Sequence, residues 1–184
     1  DDSLRLVPFP FLVSTKLPGE PIIDAWPNLA ADVRFVLARH AGELQARMHE
    51  VVAHTFGDLG YGPDRQFATW TGYVLDYYRR HVSAAVSKGL IDGPTANCLE
   101  RTVLKMVPLM SRVGEARLLH SDYHWENLLQ EDGRVTGTID FEWAMTGDYA
   151  FDCRIDDRLE ERCPGSVAPF YEGYTSIRSL DEHH

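Results

Sequence analysis

The stretch Leu118–Trp143, LLHSDYHWENLLQEDGRVTGTIDFEW, constrains the chain more than any other. Leu128-Leu129-Gln130 and Val135 to Ile139 read as two short strands joined by Glu131-Asp132-Gly133-Arg134. Asp-Gly is a hairpin signal because its residues tolerate positive φ. Such a hairpin brings Asn127, ahead of the first strand, to the same end as Asp140, just past the second. Upstream, His120, Asp122 and Asn127 fall in the pattern H-x-D-x-x-x-x-N.

That set suits phosphoryl transfer. An aspartate on a catalytic loop can take the proton of an attacking hydroxyl, while an asparagine further along and an aspartate beyond the next strand hold Mg²⁺ against nucleotide phosphates. Asp122 takes the first role, as base or hydroxyl-orienting group, and Asn127 and Asp140 the second. Amide and carboxylate oxygens are the hard donors magnesium prefers. A rival uses some of the same residues. His120, Asp122 and His124 alternate, so on a strand they would share one face and could form a hydrolytic metal site. That arrangement leaves Asn127 and Asp140 without a role.

These residues resemble the aminoglycoside phosphotransferase and choline kinase-like family, small-molecule relatives of the protein kinases. Family members read H-G-D-x-H-x-x-N, a hairpin, then I-D followed by an aromatic residue; this chain has His120-Ser121-Asp122-Tyr123-His124-Trp125-Glu126-Asn127 and Ile139-Asp140-Phe141-Glu142. Ser121 stands where glycine is usual, and Trp125-Glu126 where a Pro-Gly pair is common. The resemblance implies an α+β fold: the mainly helical C-terminal lobe of a protein-kinase-like fold with a small catalytic β-hairpin. It also implies ATP as cosubstrate, Mg²⁺ as cofactor and a small hydroxylated acceptor such as an aminoglycoside, another antibiotic, an amino alcohol or a sugar. Trp125, Glu126, Glu142 and Trp143 would shape the acceptor pocket. His120 would brace the loop, and Asp152, in a segment resembling the family's G-D-P-x-x-D, would support it from below.

Residues 7–17, VPFPFLVSTKL, read as an edge strand ended by the turn Pro18-Gly19-Glu20-Pro21. This resembles the family's hinge, which makes Ser14, Thr15 and Lys16 candidates for main-chain contacts with the nucleotide, together with Leu129. An ordinary edge strand fits the same letters. Residues 1–24 are thus expected to be hinge strand and connector, and residues 25–184 the helical lobe.

Within that lobe, periodicity predicts a helix capped by Asn28 and running to about Val52, with Leu29, Val33, Val36, Leu37, Leu44, Met48 and Val51 inward. Residues 56–65 read as a glycine-rich connector, not a phosphate cradle, because they lack G-x-G-x-x-G and do not follow a strand. A second helix, about Gln66 to Ser87, carries an aromatic stripe of Phe67, Trp70, Tyr77 and Tyr78 that is core or partly acceptor pocket. A third starts at Pro94 with Leu99, Val103, Met106 and Met110 inward, and Pro108 is expected to kink it or begin a new turn. Ser166 to Ile177 reads as a last helix with Val167, Phe170 and Tyr174 inward. The acidic cluster Asp156, Asp157, Glu160 and Glu161 reads as a solvated face or a meeting point for a cation.

Composition narrows the surroundings. Of 184 residues, 44% are hydrophobic, enough for one good core. The net charge of −10 argues against nucleic acid and anionic membranes as partners. It suits a cationic acceptor, or simply a soluble acidic protein. Cys98, Cys153 and Cys163 form no C-x-x-C, which points away from disulfides and zinc and towards a reducing cytoplasm. None of Lys16, Lys88 and Lys105 sits in a V-A-I-K-like strand, and no glycine-rich strand-turn-strand opens the chain. The expectation is that the N-terminal β lobe is largely absent from this chain, which belongs to a longer protein and does not turn over ATP appreciably alone. A non-catalytic kinase-like binding module stays open as the second alternative.

Overall fold

The computed structural model describes residues 14–60, 63–153 and 157–180. In chain order its elements are β1 (Glu20–Pro21), α1 (Ile22–Ala25), α2 (Ala31–Met48), β2 (Val52–Ala53), β3 (Phe56–Asp58), β4 (Gln66–Phe67), α3 (Trp70–Ser87), α4 (Gly93–Met110), β5 (Ala116–Leu119), β6 (Leu128–Glu131), β7 (Arg134–Thr138), β8 (Met145–Gly147), α5 (Asp157–Arg162) and α6 (Val167–Ile177). Helices dominate, with two small antiparallel sheets among them, as expected of the helical lobe of a kinase-like fold.

Helix α2 lies against α6, and small residues decide how closely. A Cβ on Gly42 would run into the Phe170 carbonyl, and one on Gly173 into the Arg39 carbonyl. The buried face of α2 is accordingly Leu37, Ala38, Ala41, Gly42, Gln45 and Ala46. The expected stripe of large residues is wrong in part. Val36 is 55% exposed, because bulky side chains cannot occupy a crossing where two backbones nearly touch, and Val51, 52% exposed, lies beyond the helix, which ends at Met48 and not near Val52. The helix also starts later than expected. Asn28 closes a short 3₁₀ turn, and Ala30 holds the cap position without a side-chain bond. On α6, Phe170 and Tyr174 are fully buried, as the periodicity requires.

One core cluster gathers Ile22, Trp26, Ala41, Trp125, Leu128 and Phe170 behind the hairpin. A second, with Phe56, Trp70, Tyr73, Leu119, Met145 and Tyr174, lies under the larger sheet. The smaller sheet has the order β1-β6-β7 and the larger the order β2-β5-β8-β3-β4. The larger sheet corrects the reading of residues 56–65 as a bare connector, since Phe56–Asp58 is β3 and pairs with both β4 and β8. Gln66 and Phe67 belong to β4, so α3 begins at Trp70, where Thr69 Oγ1 accepts from the Gly72 amide at 3.1 Å.

The third helix is α4, capped by Asp92 Oδ1 on the Thr95 amide at 2.8 Å and continuing through Pro108 to Met110. It buries no residue, and Leu99 and Met106, expected inward, are 42% and 47% exposed. Residues 14–17 are irregular and not strand; the earlier part of that expected strand lies outside the described residues. Among the described residues no helix is long and apolar enough to cross a membrane.

Candidate active site

Strand β5 delivers the chain into the loop 120–127, and β6 and β7 then form the hairpin. The register pairs Leu128 with Thr138, and the Ile139 amide donates to the Asn127 carbonyl at 2.9 Å. Asn127 and Asp140 are thereby fixed at the same end of the hairpin, as the Asp-Gly turn requires. Asp132 and Gly133 both have positive φ, 51° and 73°.

The loop is held at almost every turn. Asp152, 1% exposed, accepts the His120 amide on Oδ2 at 2.9 Å and the Ser121 amide on Oδ1 at 2.8 Å. His49 Nε2 lies 3.2 Å from Asp152 Oδ2, and His49 Nδ1 lies 2.8 Å from the Tyr174 hydroxyl. Ser121 has φ 67°, a left-handed conformation that glycine adopts freely and serine does not. The position where the resembled family carries glycine is therefore one where the backbone needs it.

His120 is fully buried and uses both ring nitrogens. Nδ1 accepts the Asp122 amide at 3.3 Å, and Nε2 donates to the Ile139 carbonyl at 2.8 Å. These partners set the tautomer with the proton on Nε2 and tie the Asp122 backbone to the residue before Asp140. They also remove His120 as a metal ligand, and residues 120–124 form no strand. The trio His120, Asp122 and His124 is thus not arranged as a hydrolytic centre. Among the described residues no group of three or more His, Cys, Asp or Glu side chains is placed to hold a metal ion.

Asn127 Nδ2 donates to the Asp122 carbonyl at 2.9 Å and to Asp122 Oδ2 at 3.2 Å, while His124 Nε2 is 3.3 Å from the same carboxylate oxygen. Two oxygen acceptors fix the Asn127 amide orientation and leave its Oδ1 for a ligand. Asp140 is exposed, has φ 67°, and makes no hydrogen bond or ion pair among the described residues. An amide oxygen and an unpaired carboxylate at one hairpin end fit a hard divalent cation whose remaining positions go to phosphate and water.

Asp122 faces a cleft of about 690 Å³ between α3, α4 and the loop, and Glu142 and Trp143 line it as well. Two acceptor-pocket expectations fail. Trp125 is fully buried, stacked on Trp26 at 6.0 Å and edge-on to Phe170 at 5.9 Å, so it is core, where a large ring gains most. Glu126 is outside the cleft lining and pairs with Arg162, whose hydrogen bond holds its carboxyl below the usual range. Glu160 is likewise engaged, accepting the Gly165 and Val167 amides at the start of α6.

Of the residues expected to meet a nucleotide, Leu129 is 8% exposed and pairs with Pro21, while Thr136 Oγ1 donates to the Pro18 carbonyl at 2.7 Å. The Pro18-Gly19 turn thus docks on the hairpin, and Ser14, Thr15 and Lys16 lie exposed just before it. Trp70 and Tyr77, from the stripe read as core or partly acceptor pocket, line the cleft, whereas sequence alone missed Arg80, His81 and Met106 as cleft residues. The helical spacing of Tyr77 and Met106 signalled a face without saying what covers it.

The sequence profile of the phosphotransferase enzyme family (APH) matches residues 1–153. The chain belongs to that family. No curated protein sequence matches this phosphotransferase-family chain significantly. Among solved structures, the gentamicin complex of APH(2")-IIa superposes with a TM-score of 0.56 at 17% identity, covering 88% of this chain and 57% of that one. ADP-bound APH(2'')-Ib gives 0.56 at 16% identity, covering 89% and 58%. A thermostable mutant of APH(4)-Ia, apo form, gives 0.51 at 19%, covering 86% and 59%. The likeness shows a kinase-like aminoglycoside phosphotransferase fold. The chain spans a little under three fifths of the structures it matches.

Proposed function

We propose that the protein is an ATP- and Mg²⁺-dependent phosphotransferase that moves the γ-phosphate to a hydroxyl of a small molecule. What carries this is the placement of Asp122, whose carboxylate is pinned by Asn127 and His124 on one side and faces the cleft on the other. An acceptor hydroxyl in the cleft gives its proton to Asp122 as its oxygen forms the new bond to the γ-phosphorus; the bond to the bridging oxygen breaks and ADP leaves. Asn127 Oδ1 and Asp140 would hold Mg²⁺, which supplies charge neutralisation on the phosphates when bound. The rest is alignment by the clamped loop, the usual source of catalysis in phosphoryl transfer. His120 and Asp152 act as positioning residues. Residues 14–16 and Leu129 border the nucleotide.

The test is ADP release from Mg·ATP against a panel of hydroxylated acceptors, using the longest form of the protein and an Asp122→Ala control. Acceptor-dependent release lost in the variant is expected. Release that persists in Asp122→Ala overturns the assignment, and nucleotide binding without release favours a binding module.

A further inference from the structure

The net charge of −10 is not gathered where an acceptor would meet Asp122. The charged side chains lining the cleft are Asp58, Asp122 and Glu142 against Arg65 and Arg80. Asp58 Oδ1 already accepts from the Tyr73 hydroxyl at 2.7 Å, and Asp122 is tied to Asn127 and His124. Glu142 is then the one cleft carboxylate without a hydrogen bond or ion pair among the described residues. A polycation brings several ammonium groups, and each one taken from water without a partner is strongly disfavoured.

Apart from Ser121 and His81, the remaining wall is mostly ring and hydrocarbon, with Trp70, Tyr77, Met106, Met110, Trp143 and Phe151 the large side chains. Tyr77, Met106 and Trp143 are 46%, 47% and 63% exposed, so large apolar surface at the cleft stays wet until something covers it. Tyr77 stacks on His81 with centroids 3.9 Å apart, which makes a flat platform on α3. Arg80 Nε donates to Asp76 at 2.7 Å, but its Nη2 is buried without a hydrogen-bond partner. A donor in that position suits an uncharged oxygen and repels a cation.

We propose that the acceptor is a neutral, largely apolar ring alcohol, seated on Tyr77, Met106 and Trp143, with an uncharged oxygen on Arg80 Nη2 and its hydroxyl at Asp122. This rests on the phosphotransferase assignment for the transfer step, but binding is measurable without it. Trp70 and Trp143 lie in the wall, while Trp26 and Trp125 are buried elsewhere, so intrinsic fluorescence reports the cleft.

The experiment titrates the longest form of the protein with androstanediol, a neutral steroid diol, and separately with gentamicin, each at low and high salt. Saturable quenching by the diol, insensitive to salt and weakened at least tenfold in Met106→Asp and Tyr77→Ser, is expected. Those two positions are exposed, and circular dichroism checks that the variants fold. Tighter binding of gentamicin, or no saturable signal from the diol, overturns the proposal. ADP release on the same samples separates the two levels. Release with gentamicin alone removes the neutral acceptor and leaves phosphotransfer standing; diol binding without release leaves the neutral-ligand site and removes transfer.

Discussion

The loop 120–127 and helix α4 face each other across one cleft, and the fold treats them differently. In the loop, the amides of His120 and Ser121 end on a buried carboxylate, the amide of Asp122 on an imidazole, and the side chain of Asn127 on the loop's own oxygens. Helix α4 buries nothing; its tie to α3 includes a Tyr78 hydroxyl on the Ala96 carbonyl at 3.0 Å. On the proposed function, the chemistry falls on the tightly hydrogen-bonded loop, while the acceptor meets a helix that buries no residue. Substitutions on the two sides should therefore have unlike signatures.

The largest effect is expected at Asp122. Asp122→Ala should lower acceptor-dependent ADP release about a thousandfold, within the range for losing a positioned base, with nucleotide affinity nearly unchanged. Asp140→Ala should also weaken metal-dependent nucleotide binding, which equilibrium titration with and without Mg²⁺ would separate. Next comes Asp152→Ala, which strands two amides and a buried histidine; it should cost about 3–5 kcal/mol in denaturant unfolding. A loss near zero there would break the contrast between the clamped loop and the loose wall.

A smaller, pH-dependent effect is expected at Glu160. Burial pushes its carboxyl up, but the amides of Val167, Gly165 and Ser166 outweigh this and leave it below the usual value. A carboxyl depressed in the folded state stabilises above its unfolded pKa, and that contribution is lost as pH falls through the folded one. Glu160→Gln should lower stability by about 1 kcal/mol at neutral pH, as for a lost helix cap, and by less in acid. Smallest of all, Leu104→Ser on the exposed face of α4 should change stability by about 0.5 kcal/mol or less.

The hairpin and α6 were legible in the sequence because their signals are local: a turn dipeptide, and a repeat on one helix. The five-stranded sheet was not, since strands such as Val52–Ala53 and Met145–Gly147 are too short for a period and exist through pairing with distant segments. Trp125 was misplaced because a motif position says nothing about which way a side chain turns. The inward face of α2 was read only in part for a related reason: Leu37 is buried as expected, but other large apolar residues were counted as core where the partner helix selects small ones. At the site, the spacing of Asp122, Asn127 and Asp140 was readable and the resemblance put Asp152 beneath the loop, but the hold of His49 on Asp152 comes from a residue far along the chain.

The contact between α2 and α6 reaches further than packing. Tyr174, next to Gly173, touches His49, which touches Asp152, which grips the loop. A methyl group added at Gly173 would spread the two helices and move that chain of contacts at its root. A random mutagenesis screen for inactive protein should thus return glycines remote from the cleft alongside the aspartates within it, and the remote ones would report leverage where the others report chemistry.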